Sequence, residues 1–308
     1  MKRDLLIFRL LLPAVLVFSG CQAMLTATEK AATSAASIGM LHPSYAEAIK
    51  KSTGAVSRSI EEFTPEQEYY IGRSVAAVIL NKYQSYMNQE ANQYLNVLGQ
   101  TLAQASDMPE IFRGYRFLVL NSEEINAFAT PGGQVFVTRG LLRCCRSEDA
   151  VAAVLAHEIG HIELKHGIQA IKKARITDAL TTIAAESARA LAPNEVAMLT
   201  QTFGGAIMDI TTTLVNSGYS RSFEYEADQA AQTILRRVGY DPNGLVEMLM
   251  VMGKNLKKGE TVLTGFAKTH PAPEDRIGEI QQKSGVKYAQ VRTPEARQAR
   301  FVKAVGKI

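Results

Sequence analysis

A five-residue segment, His157-Glu158-Ile159-Gly160-His161, constrains this chain more than any other part of its sequence. The residues before it, from Glu148 to Ala156, are good helix formers with apolar side chains at helical spacing. Side chains four positions apart project from the same face of a helix, so His157 and His161 are able to hold one metal ion between two imidazoles. Glu158 is able to reach a water molecule on that ion. Two histidines with an intervening carboxylate at this spacing are typical of zinc hydrolases.

The two histidines predict a third metal ligand elsewhere in the chain, because catalytic zinc usually takes three protein ligands and keeps one position for water. One common zinc-binding motif adds a glycine three positions and a histidine six positions after the second motif histidine. Here those positions hold Leu164 and Gly167, so this motif is excluded. His166 is five positions after His161 and, on a continuous helix, would point elsewhere. We therefore interpret His166 as a cation near the C-terminus of the helix.

A later predicted helix, which starts near Ser222 and ends before Gly239, offers a carboxylate as the third ligand. Glu224 and Asp228 are four positions apart and lie on one face of that helix, whereas Glu226 faces away. Glu224 is able to bind zinc while Asp228 accepts a hydrogen bond from the far nitrogen of a ligand histidine and orients its ring. Without the upstream motif, this pair of carboxylates would more simply indicate a solvated face.

The order and spacing of these motifs resemble the zinc metallopeptidases of the HtpX and CAAX-prenyl-protease type, a gluzincin family, and within it the periplasmic lipoprotein branch. The resemblance extends over about residues 61–285. Further motifs that carry it are Ser220-Arg221, Thr269-His270-Pro271, Arg276-Ile277, the stretch from Asn126 to Gly133, and Gly140-Leu141-Leu142. The chain departs from the integral members of this family, which have membrane-spanning helices.

The resemblance implies an α+β fold: a mostly helical zincin-type metalloprotease with a small sheet packed on the active-site helix. It implies one Zn²⁺ per chain, bound by His157, His161 and Glu224, with Glu158 as the general base of peptide hydrolysis. The role of His270 stays open between a fourth zinc ligand in a resting state, an oxyanion-stabilising group and a loop histidine with no catalytic part.

Substrate contacts are expected from a sheet edge and from Arg221. Zincin sites usually bind peptide as an added strand, and the predicted strand of Gln134, Val135, Phe136 and Val137 is the candidate edge, the alternative being an interior strand. Because backbone pairing selects extended chain, unfolded polypeptides, and in the cell misfolded envelope proteins, are the expected substrates. Arg221 either holds the carboxylates of the site, contacts substrate, or forms a structural ion pair.

The N-terminal segment is typical of a bacterial lipoprotein. A basic start is followed by a stretch from Leu5 to Phe18 that is apolar apart from Arg9 and too short to span a membrane as a mature helix. Phe18-Ser19-Gly20-Cys21 resembles a lipoprotein cleavage box, although leucine is more usual in place of Phe18, so we predict acylation of Cys21. In such lipoproteins an aspartate after the cysteine signals retention in the inner membrane. Gln22 stands there, so in a bacterium with two membranes the resemblance implies the periplasmic face of the outer membrane. The alternatives are an ordinary secretory signal and a short buried helix.

Composition divides the chain and limits its partners. Four segments are predicted: a signal peptide at 1–20, an Ala-, Ser- and Thr-rich tether at 21–60, a catalytic domain at 61–285 and a basic, polar surface tail at 286–308. The formal net charge of +4 over 308 residues is too near neutral to favour nucleic acid as a partner. Cys144 and Cys145 are adjacent, so a disulfide between them would be strained, and two small buried apolar side chains are the simpler interpretation.

Three functions are compatible with these motifs. The leading one is a lipid-anchored zinc metalloendopeptidase that cleaves unfolded or misfolded envelope proteins. The second is a chaperone or assembly factor for outer-membrane proteins, working with outer-membrane assembly machinery and with a mostly latent protease site. The third, a structural zinc site, is disfavoured because structural sites fill all four positions and need no carboxylate beside the histidines. Glu158→Gln separates the first two, since it removes cleavage and leaves binding.

Overall fold

The computed structural model describes residues 63–170, 218–257, 270–284 and 289–308, with a few positions between 30 and 47. The predicted signal peptide, Cys21 and most of the predicted tether lie outside these residues. The chain forms two compact units, Met1–Glu62 with Lys172–Thr200 and Phe63–Ile171 with Gln201–Ile308. All elements described below belong to the second unit.

The helices and strands of the second unit begin and end at signals that are visible in the sequence. The side chain of Ser147 accepts a hydrogen bond from the backbone N–H of Ala150 and begins the helix Glu148–Glu163. Ser220 begins the helix Arg221–Val238 in the same way, and Gly239, at φ +79°, ends it in the left-handed conformation that glycine adopts without strain. In chain order the elements are α1 (Pro65–Lys82), α2 (Gln89–Ala103), β1 (Arg116–Leu120), β2 (Ala127–Ala129), β3 (Gln134–Thr138), α3 (Arg139–Cys144), α4 (Glu148–Glu163), α5 (Arg221–Val238), α6 (Asn243–Lys257), α7 (Pro273–Ser284) and α8 (Glu295–Val305).

The strand β3 is the middle strand of a three-stranded sheet with the order β1-β3-β2. It pairs in parallel with β1 and antiparallel with β2, where Phe136 lies opposite Phe128. The prediction that the strand from Gln134 to Val137 forms the sheet edge is therefore wrong. Val135, Phe136 and Val137 are all buried, as expected for a strand with neighbours on both sides. A strand as short as β2 leaves no periodic signal, so its pairing with β3 is not visible in the sequence.

The outer edge of β1 is closed by side chains of α2. The side-chain amide of Asn96 donates to the C=O of Phe117 and accepts from the N–H of the same residue. Asn92, one turn earlier, accepts from the N–H of Val119. The backbone groups on this side of the sheet are thus used within the domain.

The outer edge of β2 keeps backbone groups available. Asn126 and Thr130 hydrogen-bond across to β3, so the alternation of antiparallel pairing directs the backbone groups of Ala127 and Ala129 outward. There the C=O of Ala129 accepts a hydrogen bond from the hydroxyl of Tyr219 at 3.1 Å. Within the part of the chain that the structure describes, the C=O of Ala127 and the N–H of Ala129 have no hydrogen-bond partner.

The helix α4 lies at the centre of the core, and every residue of it from Glu148 to Ile162 is buried. It packs against the sheet and against α2, α5 and α6. Its approach to α5 is close at Gly160, where an added Cβ would lie 3.0 Å from the backbone oxygen of Ala227. The glycine therefore lets the helix with the motif histidines approach the helix with Glu224.

The C-terminal residues pack on this core and do not form the polar surface tail that the sequence predicts. The helix α8 buries Phe301. Arg300 donates to the buried carboxylate of Glu148 at 2.5 Å, and the hydroxyl of Thr293 donates to the buried carboxylate of Asp149 at 2.6 Å. Arg297 also lies 3.5 Å from the carboxylate of Asp149, so two arginines of this segment pair with the two carboxylates at the N-terminus of α4, a contact that composition cannot predict.

Among the helices in the described ranges, none combines the length and the apolar character needed to cross a membrane. Cys144 and Cys145 are free thiols and both are buried. Burial raises the pKa of each thiol. They serve as small core side chains, which is the interpretation that their adjacency favours.

Candidate metal centre

Four side chains from two helices and one loop converge on a single point. His157 and His161 come from α4, Glu224 from α5 and His270 from the residues just before α7, and their ligand atoms all lie within 4.8 Å of one another. The Nε2 atoms of His157 and His161 are 3.1 Å apart and lie 3.5 and 3.4 Å from the two oxygens of Glu224. The structure thus brings together the three predicted ligands and the histidine whose role was open.

The geometry of this cluster suits a zinc ion. Zinc holds nitrogen and oxygen ligands tetrahedrally at about 2.0–2.1 Å, which separates neighbouring ligand atoms by about 3.3 Å. The distances of 3.1, 3.4 and 3.5 Å among His157, His161 and Glu224 are close to that value. The Oε1 atom of Glu224 is buried and has no hydrogen-bond partner among the described residues. An oxygen left in this state is suited to ligate a cation, because buried polar atoms otherwise find partners.

A buried ion pair lies behind His157. The Nδ1–H of His157 donates to Oδ1 of Asp228 at 2.9 Å, which is the contact expected from the spacing on α5. The guanidinium of Arg276 donates two hydrogen bonds to the same carboxylate, from Nε to Oδ2 at 2.9 Å and from Nη2 to Oδ1 at 2.5 Å. Burial raises the pKa of Asp228, but Arg276 and His157 outweigh burial and hold that pKa below its ordinary value. Asp228 is therefore an ionised acceptor that turns Nε2 of His157 towards the cluster.

Behind His161 lies His166, contrary to the sequence interpretation. The helix α4 ends at Glu163, and Lys165, at φ +55°, turns the chain back. Nδ1 of His166 therefore lies 2.9 Å from Nδ1 of His161, and its Nε2 lies 3.1 Å from the carboxylate of Glu226. The interpretation of His166 as a helix-terminal cation pointing elsewhere is wrong, because it assumed a continuous helix. Glu226 faces away from the ligand cluster, as predicted, but it contacts His166.

Glu158 follows the first ligand on α4 and is only 2% exposed. Burial raises the pKa of its carboxyl, while the nearby His157 and His270 oppose that increase. A carboxylate with a raised pKa binds a proton more readily than an exposed one. The environment therefore suits the general base that the motif predicts.

The two motif histidines differ in proton affinity. Burial and Arg276 lower the pKa of His157, but hydrogen bonds to Asp228 and Glu224 outweigh them and raise it to about 9. Burial lowers the pKa of His161 to about 3, against the opposing effect of Glu224. Without metal, His157 therefore takes up a second proton at a much higher pH than His161 does.

Contacts with Glu224 hold His270 in the cluster. Its Nδ1 lies 2.7 Å from Oε2 of Glu224. Burial raises the pKa of Glu224, but the nearby His270 and His157 outweigh burial and hold that pKa well below its ordinary value. Glu224 is thus ionised, as a carboxylate ligand must be.

A cavity of about 330 Å³ opens beside His161. Tyr219 forms one side of it, with its ring stacked on that of His161 at 4.2 Å between centroids. An ion pair of Lys165 with Glu68, at 2.9 Å, also borders the cavity. The apolar residues of its lining include Met108, Ile111, Phe112, Pro131, Ile162 and Ile168. Tyr219 lies just before a helix, where no periodic pattern in the sequence marks it as part of the site.

Arg276, and not Arg221, holds a carboxylate of the site. The side chain of Arg221 is 74% exposed and lies 3.8 Å from Asp275, so it does not hold Glu224 or Asp228. Arg276 is 1% exposed and holds Asp228. Its motif was visible in the sequence, but helical spacing cannot predict a contact between α7 and α5.

Comparisons with known proteins agree with this site. The model of peptidase family M48 matches residues 89–284, a range that includes all four residues of the cluster. The beta-barrel assembly-enhancing protease of Escherichia coli (strain K12) is 29% identical over 199 residues, which are 62% of this chain and 38% of that protein. The putative beta-barrel assembly-enhancing protease of Vibrio cholerae is 29% identical over 226 residues, 72% of this chain and 45% of that protein. The mitochondrial metalloendopeptidase OMA1 of Schizosaccharomyces pombe is 31% identical over 168 residues, 53% of this chain and 45% of that protein.

The chain spans less than half the length of these relatives. The family match nevertheless covers more than half of the chain and confirms the resemblance that the motifs indicate. It also agrees with the expected α+β architecture, a mostly helical zincin-type fold with a small sheet packed on the active-site helix. The chain therefore belongs to peptidase family M48.

Proposed function

We propose that this protein is a zinc-dependent metalloendopeptidase that cleaves unfolded polypeptides. The observation that carries the proposal is the convergence of His157, His161, Glu224 and His270, next to the buried carboxylate of Glu158. Membership of a peptidase family, and the word metalloendopeptidase in the name of one relative, support the same reaction. Two imidazoles and one carboxylate are a ligand set of catalytic zinc, which supports zinc as the metal.

In the proposed mechanism His157, His161 and Glu224 would hold a zinc ion, which would supply Lewis acidity to the attacking water and to the carbonyl of the bond to be cleaved. Glu158 accepts the proton of the attacking water and delivers it to the leaving amine. Its burial supports the first of these steps, because a raised pKa makes Glu158 a stronger base. Asp228, held by Arg276, keeps the lone pair of Nε2 of His157 directed towards the cluster.

Within this proposal His270 is a fourth ligand in a resting state. The location of its Nδ1 among the other donor atoms supports this role over that of a loop histidine without a catalytic part. A fourth ligand competes with substrate, so His270→Ala should speed the cleavage of an unfolded substrate. Slower cleavage at unchanged zinc content would instead assign His270 to the stabilisation of the oxyanion.

We assign substrate binding to the outer edge of β2, in place of β3. The C=O of Ala127 and the N–H of Ala129 face outward there, where an extended peptide is able to pair with them. Tyr219 connects this edge to the centre, because its hydroxyl bonds Ala129 and its ring stacks on His161. The adjacent cavity is suited to an apolar side chain of the same peptide.

The proposed place of action is the periplasmic face of the outer membrane, with a lipid anchor at Cys21. The support for this is the pattern Phe18-Ser19-Gly20-Cys21 in the sequence. Two relatives carry beta-barrel assembly in their names, and outer-membrane proteins are β-barrels. Unfolded outer-membrane and other envelope proteins are then the substrate class, and outer-membrane assembly machinery is the proposed partner.

The proposal is tested by zinc content together with cleavage of an unfolded casein by the full chain, with wild type beside Glu158→Gln. We expect zinc in both proteins and cleavage only by the wild type. Glu279→Gln, a change on α7 at a glutamate paired with Lys283, should retain zinc and cleavage. A zinc-loaded wild type that leaves the casein intact would contradict the proposal.

A second candidate is an assembly factor that holds outer-membrane proteins and seldom cleaves them. The name assembly-enhancing protease, borne by relatives, favours it. The two candidates differ in a cell that lacks this chain and is complemented with Glu158→Gln. Restored insertion of β-barrel proteins would make binding the main function, whereas failure to restore it would make cleavage the main function.

A further inference from the structure

Two histidine rings behind the metal centre form a hydrogen-bonded chain that ends at a carboxylate. Nδ1 of His161 is 2.9 Å from Nδ1 of His166, and Nε2 of His166 is 3.1 Å from Oε2 of Glu226. We propose that this chain is a relay that sets the tautomer and the ring orientation of His161, with His166 and Glu226 as positioning residues. The inference rests on the metal centre proposed above, since it concerns the nitrogen that His161 offers to the ion.

The direction of the relay follows from the number of donors and acceptors. An ionised carboxylate only accepts, so Nε2 of His166 donates its hydrogen to Glu226. A neutral imidazole carries one N–H, so Nδ1 of His166 accepts the Nδ1–H of His161. Nε2 of His161 is then a bare lone pair, and it lies 3.1 Å from Nε2 of His157 and 3.4 Å from Glu224. Reversal of either hydrogen bond would place a hydrogen on this nitrogen and prevent ligation.

Packing holds His166 in the orientation that the relay needs. The ring is fully buried and lies parallel to that of Phe223, with 4.3 Å between centroids and 2° between planes. The left-handed backbone at Lys165 places the ring behind His161. The side chain of Glu226 is 52% exposed, so water is able to replace it in part as the acceptor. His166 should therefore matter more than Glu226.

The relay gives His161 the orientation that His157 receives directly. His157 donates to Asp228, which lies on the same face of α5 as Glu224. Glu226 lies on the other side of that helix and does not bond His161 itself. His166 spans this gap, so both ligand histidines are oriented by carboxylates of α5, one directly and one through a second imidazole.

The test is the zinc affinity of the full chain, measured by competition with a chelator of known affinity. His166→Phe keeps a ring to stack on Phe223 but offers no acceptor, and should weaken zinc binding by about 10–100-fold. His166→Gln offers a side-chain oxygen and should recover most of this loss. Glu226→Ala should weaken binding by a smaller factor, and Glu279→Ala, a control on α7, should not change it. The ¹⁵N shifts of His161 should report an Nδ1–H tautomer in the wild type.

The results distinguish three cases: a relay through His166, a role of His166 in packing alone, and the absence of the proposed metal centre. Equal zinc affinity of His166→Phe and the wild type would overturn the relay. The relay would also be overturned if His166→Phe and His166→Gln lost zinc affinity to the same extent, and if the midpoint temperature of thermal unfolding of both metal-free variants fell by the same amount. A wild type that binds no zinc would refute the metal centre instead. Glu226 is partly exposed, so Glu226→Ala keeps the test valid if the buried variants fail to fold.

Discussion

Arg276 of α7 and Asp228 of α5 form a forked ion pair whose members are both buried, at 2.9 and 2.5 Å between donor and acceptor atoms. The same carboxylate accepts a hydrogen bond from His157 of α4. One aspartate therefore joins three helices behind the metal centre. The orientation of His157 thus depends on α7, a helix that contributes no ligand of its own.

Replacement of Asp228 should affect both zinc binding and folding. Asp228→Asn weakens the hold on His157 and should lower zinc affinity by about 10–100-fold. It also removes the closest carboxylate from the buried charge of Arg276, with Glu224 farther away at 3.7 Å, and should lower the free energy of unfolding by about 3–5 kcal/mol. Chelator competition and denaturant titration measure the two effects. Asp275→Asn, at a half-exposed carboxylate, is the control, and an equal effect there would contradict the role of Asp228.

The two arginines that the sequence offers should respond differently to a change that keeps their charge. Lysine cannot form the fork, so Arg276→Lys should lower the free energy of unfolding by about 1–3 kcal/mol and weaken zinc binding. Arg221→Lys should change the free energy of unfolding by less than about 0.5 kcal/mol, because Arg221 is mostly exposed. The reverse result, with zinc binding sensitive only to Arg221, would restore the sequence interpretation.

Zinc binding should release a proton near neutral pH. The pKa of His157 is raised to about 9 in the cluster without metal, so below that pH the incoming ion must displace a proton from it. Apparent zinc affinity should then rise by about tenfold per pH unit as pH increases towards about 9, and level off above it. Titration calorimetry in buffers of different ionisation enthalpy counts the protons released. A zinc affinity independent of pH over this range would show that His157 is already neutral.

The outer edge of β2 should be needed for cleavage but not for metal binding. Ala129→Pro removes an outward N–H and leaves the hydrogen bonds to β3 in place. The loss of one backbone hydrogen bond to substrate should lower kcat/KM for an unfolded substrate by about 3–10-fold, at unchanged zinc content. Ala129→Ser keeps the N–H and serves as the control. Equal kcat/KM for the proline and serine variants would argue against this edge as the binding surface.

The contact of α8 with α4 should stabilise the whole domain. Arg300→Met leaves the buried carboxylate of Glu148 with the hydroxyl of Tyr240 as its remaining partner in the described structure. The free energy of unfolding should fall by about 1–3 kcal/mol, since Arg300 is half exposed and water replaces part of its contact. Lys303→Met removes a cation from the exposed pair with Glu90 and should be nearly neutral. Equal stability of the two variants would mean that Glu148 does not need Arg300.

The sequence is informative about this protein where the relevant contact is local. Ser147 begins α4, and the spacing of His157 and His161 puts both on one face of it. The same rule puts Glu224 and Asp228 on one face of α5. These relations depend on helical periodicity and on caps, which involve residues within about four positions of one another.

Contacts between distant segments, by contrast, were decided only by the tertiary structure. The position of β3 in the sheet depends on its pairing with the short β2, and the choice of Arg276 over Arg221 depends on how α7 packs against α5. The place of His166 depends on one left-handed residue, Lys165, that ends the helical periodicity. Local spacing determines which side chains share a face of a helix. Which faces meet is determined by the packing of whole elements, because only burial against a partner selects among the faces that a sequence offers.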